Sequence, residues 1–81
     1  MGKVLTAMRV FPQEGQDLNV LIENLKKLKG FNTAKIEDYV FGAKIIKASF
    51  VCEDGENMDF EQMVKDTPGV SELNVDEVGL I

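Results

Sequence analysis

At 81 residues the chain has room for one domain and one core, and a fold this small hides only about 60–65% of the surface its unfolded form exposes. Its 44% apolar content is enough for a single core. Fourteen acidic against nine basic residues, a net charge of −5, argue against nucleic acid or an anionic membrane as partner, because both are held by clustered lysine and arginine.

What remains is a protein partner, a small ligand or a cationic surface. The single cysteine, Cys52, leaves no internal disulfide, which suits a reducing compartment. No apolar leader precedes the alternation that starts at Lys3, and no apolar run approaches the roughly 18 residues of a membrane span. A cytoplasmic domain is expected.

Alternation over Lys3–Phe11 predicts a first strand, with Val4, Thr6, Met8 and Val10 on one face and Leu5, Ala7, Arg9 and Phe11 on the other. Pro12 closes it, having no N–H for a ladder. Asp17 is a suitable helix N-cap. Leu18, Leu21, Ile22, Leu25 and Leu28 then recur at three- and four-residue steps, the apolar stripe of an amphipathic helix. Lys26, Lys27 and Lys29 suit its carbonyl end, and Gly30 is expected to end it as a C′ glycine.

Phe31–Tyr39 reads as a second strand and Ala43–Glu53 as a third, with Gly42 in the hairpin link. In the third strand Ile46, Ala48, Phe50 and Cys52 share one face, while Ile45, Lys47, Ser49 and Val51 share the other. Cys52 is read as a buried small hydrophobe. Asn57 or Asp59 caps a short second helix marked by Phe60, Met63, Val64 and Thr67, which Pro68-Gly69 ends. Ser71–Leu80 alternates again, with Leu73 and Val75 on one face.

The order β-α-β-β-α-β, with two right-handed crossovers, predicts an α+β, ferredoxin-like sandwich: a four-stranded antiparallel sheet, spatial order 4-1-3-2, with both helices on one face. The second face is expected to be partly open, carrying Arg9, Lys47, Ser49, Asn74 and Asp76.

Catalytic chemistry finds little footing here. There is no histidine, so the commonest general base and metal ligand are missing. The acidic turn Glu53-Asp54-Gly55-Glu56 lacks the spacing of a calcium loop and reads as solvated. No glycine belongs to a phosphate-binding motif. The third strand lacks the interleaved aromatic and basic residues of an RNA-reading strand. The chain is therefore expected to have no enzymatic active site, cofactor or metal. The segment with most binding character is Asp38-Tyr39-Val40-Phe41-Gly42-Ala43-Lys44, two aromatics at a hairpin tip beside a glycine and a lysine. Its alternative reading is that Phe41 folds back to cap the core.

Residues Met1–Pro12, Phe41-Gly42-Ala43-Lys44-Ile45-Ile46, Val51-Cys52-Glu53-Asp54 and Gly69-Val70 with the alternation after it together resemble the archaeal elongation factor one-beta family of guanine-nucleotide exchange domains. Nearly the whole chain is covered. The resemblance implies a ferredoxin-like fold and a role in protein biosynthesis: binding the translation elongation GTPase that delivers aminoacyl-tRNA, and speeding its release of GDP. It implies that Phe41 makes or positions the contact with that partner, with Gly42 and Lys44 shaping the same edge. A monomer is expected when the protein is free.

Three departures qualify this. The tail Glu77-Val78-Gly79-Leu80-Ile81 has no basic residue of the kind that reaches toward the magnesium site in eukaryotic members, which leaves three alternatives: apolar wedging by Leu80 and Ile81, slow exchange, or a diverged homologue. Asp38 stands where the family usually has proline, and the turn before the second helix is shorter by about two residues. The competing reading is an ACT-like regulatory module of the same topology, which would hold a small ligand at a strand–helix junction. An acylphosphatase-like enzyme is disfavoured, because Pro12-Gln13-Glu14-Gly15 supplies no arginine for a phosphate loop.

Overall fold

The computed structural model describes residues 2–56 and 58–80. Strands β1 (Lys3–Pro12), β2 (Phe31–Asp38), β3 (Lys44–Glu53) and β4 (Val70–Leu80) form one sheet, with helix α1 (Leu18–Lys26) between β1 and β2 and helix α2 (Phe60–Lys65) between β3 and β4. The strand order is β2-β3-β1-β4, which is 4-1-3-2 read from the other edge, and every pairing is antiparallel. Between β2 and β3 the chain makes a single 3-10 turn, Val40–Gly42.

The period-two pattern decides which face of the sheet is covered. Met8 and Val10 of β1 and Ile46, Ala48 and Phe50 of β3 are buried in one cluster with Leu21 and Leu25 of α1 and Phe60 and Val64 of α2. The Phe50 ring holds this cluster together, stacked on Phe60 at 5.2 Å and meeting the Phe31 ring edge-on at 5.9 Å. Asp17 caps α1 by accepting from the backbone N–H groups of Asn19 and Val20. Asp59 caps α2, accepting from Gln62 N–H; the other cap candidate, Asn57, lies outside the described residues. Thr67, just past α2, is buried because its hydroxyl donates to the Met63 carbonyl.

Four local expectations need correction. Helix α1 stops at Lys26 with Lys27 as C-cap, so Leu28 and Lys29 belong to the link and Gly30 is not the C′ residue. Gly30 has φ +89° for another reason: a Cβ there would come within 2.8 Å of both the Phe60 ring and the Val51 carbonyl oxygen. Its own carbonyl accepts from Val51 N–H at 2.8 Å, which ties the link to β3. Cys52 is only half-buried, packing against the core on one side and lining an open recess with Val4, Phe60 and Val78 on the other. Ile45 is 4% exposed although it lies on the second face, the one away from the helices. Finally, Tyr39 and Ala43 fall outside the strands, because the 3-10 turn takes up the residues between Asp38 and Lys44.

Candidate functional site

The hairpin tip is held by its backbone. Tyr39 N–H donates to the Ala43 carbonyl at 2.8 Å, and Ala43 N–H donates to the Val40 carbonyl at 3.1 Å. Closing the chain this tightly takes two consecutive left-handed residues, Phe41 at φ 57° and Gly42 at φ 75°. Glycine adopts that conformation freely, whereas a bulky side chain rarely does. Phe41 is nevertheless the residue there, and it is fully exposed at 103% of its reference area. The idea that it folds back to cap the core is therefore wrong. Val40 beside it is exposed as well, while Tyr39 is anchored, its ring edge-on to Phe11 at 5.2 Å.

Below the tip, Lys44 pairs with Asp38 across the first rung of the hairpin. The hydrogen bond from Lys44 and the charge of its ammonium hold the Asp38 carboxyl below the usual carboxylate range. A lowered folded-state value means that the pair stabilises the hairpin above the ordinary aspartate range, and that this is lost as pH falls through the depressed value. Both groups are solvent-exposed, so the contribution is small and screened by salt. In an NMR pH titration, the Asp38 carboxyl should titrate below free aspartate and move up in Lys44→Gln or in molar salt. An unchanged midpoint in Lys44→Gln would show that the contact does not persist in solution.

Leu80 lies elsewhere. It pairs with Val4 at the start of β1, whereas the hairpin tip lies beyond the Val10–Ile46 rung at the far end. Val4 and Val10 are six strand steps apart, about 20 Å, so the structure does not bring Leu80 together with Phe41, Gly42 and Lys44. Ile81 lies outside the described residues. Around Leu80 the helix-side face is poorly covered: Val78 is 61% and Leu80 71% exposed. Val78 joins Val4, Cys52, Met58 and Val75 in lining a cavity of about 360 Å³, with Glu56, Asp59 and Glu61 also on its wall. Counting in twos from Leu73 and Val75 would put Val78 and Leu80 on the opposite face; the irregularity in β4 across from Ala7 and Met8 shifts the register by one residue and returns them to the helix side beside Thr6 and Val4.

Among the described residues, no three His, Cys, Asp or Glu side chains are placed to hold a metal ion, and no helix is long and apolar enough to cross a membrane. The chain matches no protein-family model and no curated protein sequence.

Proposed function

We propose that the chain is a ferredoxin-like guanine-nucleotide exchange protein acting on the translation elongation GTPase, as its resemblance to the elongation factor one-beta family implies. The observation that supports this best is Phe41, a fully exposed aromatic in a left-handed conformation on a fixed hairpin tip, at the family's signature position. Exposed aromatics on rigid supports make efficient binding anchors, because little side-chain entropy is lost when they dock. Exchange requires no covalent chemistry. It requires tighter binding to the nucleotide-free GTPase than to the GDP-bound form, since only differential affinity shifts the equilibrium.

Phe41 and Leu80 lie at opposite ends of a molecule 41 Å long, so they serve as two separate contacts on a partner large enough to span them. With no basic residue in the tail, the second contact is apolar, made by Leu80 with Val78 beside it.

The test is release of a fluorescent GDP analogue from the cognate elongation GTPase with increasing amounts of the protein. Acceleration that saturates with concentration is expected. No acceleration, with no binding to the nucleotide-free GTPase, would overturn the proposal.

A further inference from the structure

The register sets three cations side by side on the face of the sheet away from the helices. Lys35 stands opposite Lys47 across β2 and β3, and Lys47 stands opposite Arg9 across β3 and β1. Like charges directly opposite in a ladder repel each other, and such an alignment is unexpected by chance in a chain of net charge −5. Arg9 is engaged by Asp76, Nε to Oδ1 at 2.9 Å. Among the described residues, neither Lys35 nor Lys47 takes part in an ion pair.

One rung away, Thr33 and Ser49 are cross-strand partners with their hydroxyl oxygens 2.9 Å apart, and Asn32 Nδ2 donates to Ser49 Oγ at 3.1 Å. Thr33, Lys35, Lys47 and Ser49 line one cavity of about 180 Å³, in which the remaining walls are Ala7, Ala34 and Ala48. Of the three, Ala7 shares the face of the two lysines and leaves the space open where a larger residue would fill it, while Ala34 and Ala48 turn their side chains to the core and border the recess with backbone. Two ammonium groups and two hydroxyls thus border a recess of small-anion size. Lys47 also borders the neighbouring recess, where Glu37, Asp38 and Asp76 stand with Arg9, so carboxylates flank the site on that side.

We propose that this recess binds a phosphoryl oxyanion, free or carried by another molecule, independently of any exchange activity. A dianion gains more than a monovalent carboxylate from two adjacent ammonium groups, and it can also accept from whichever of the two hydroxyls is not donating to the other. Charge-assisted bonds of this kind are the stronger class of hydrogen bond.

The experiment is an NMR titration of the ¹⁵N-labelled protein with inorganic phosphate, O-phosphoserine and acetate, with ionic strength held constant by chloride. Saturable shifts are expected at the amides of Thr33, Lys35, Lys47 and Ser49 with both phosphates and not with acetate. Lys47→Gln should weaken binding about tenfold while leaving the spectrum elsewhere intact. Tighter binding of O-phosphoserine would assign the site to phosphorylated side chains, and equal binding to free phosphate. Shifts that grow linearly with every anion, that match acetate, or that survive Lys47→Gln would overturn the proposal.

Discussion

On the proposed exchange function, Phe41→Ala is expected to weaken functional binding to the elongation GTPase about 30-fold or more, read as the concentration giving half-maximal acceleration of GDP release, with the thermal unfolding midpoint unchanged. The magnitude follows from the side chain. Burying a phenylalanine against a partner contributes about 1.5–3 kcal/mol, and central anchors cost about 2 kcal/mol or more when truncated. Each 1.4 kcal/mol is roughly a factor of ten. The unchanged stability follows from the structure, because the side chain is fully exposed and its removal leaves no cavity.

A companion variant separates the backbone from the ring. Phe41 holds a left-handed conformation that costs an L-residue about 1–2 kcal/mol. Phe41→Gly removes that cost but adds unfolded-chain freedom worth about 0.5–1 kcal/mol. It should therefore be as stable as the natural protein or slightly more so, and as defective in binding as the alanine variant. If Phe41→Ala unfolds the domain, the ring packs in solution and the site assignment fails. If stability and exchange are both untouched, Phe41 is not the anchor.

The two left-handed residues of the tip also show where sequence reading stops. The hairpin was legible, because Gly42 breaks the alternation between two apolar runs. The left-handed state of Phe41 was not, since no propensity places a bulky aromatic there. The strand faces followed from period-two counting, so that Met8, Val10, Ile46, Ala48 and Phe50 were identifiable as core. Ile45 was not, since its burial on the face away from the helices depends on what lies beside it after the chain has folded. The cation row was equally hidden. Arg9, Lys35 and Lys47 lie far apart in sequence and become neighbours only through the registers of two separate pairings. Similarly, the distance between Leu80 and Phe41 is a property of topology: β4 runs antiparallel to β1 and carries the tail to the end of the sheet opposite the hairpin tip.

Gly30→Ala is expected to destabilise the domain by about 2–4 kcal/mol, the range in which backbone strain and overpacking combine. Two costs act together at this position. The residue sits at φ +89°, a conformation L side chains rarely adopt, and the new methyl would lie 2.8 Å from both the Phe60 ring and the Val51 carbonyl oxygen. The ring cannot simply withdraw, because it is stacked on Phe50 in the centre of the core. Nor can the backbone, because Gly30 accepts the Val51 N–H and is thereby fixed to β3. For a domain of this size each kcal/mol lowers the unfolding midpoint by about 4–8 °C, so calorimetry should show a drop of at least about 8 °C. Gly15→Ala is the control: it has φ +80° but nothing within 4 Å of the added methyl. It should lose only the conformational part, about 1 kcal/mol. Combining Gly30→Ala with Phe60→Leu should cost less than the sum of the two single changes, because the smaller side chain relieves the clash. Strict additivity, or equal losses at Gly15 and Gly30, would mean that backbone conformation alone sets the cost and that the approach of Phe60 to the link contributes nothing.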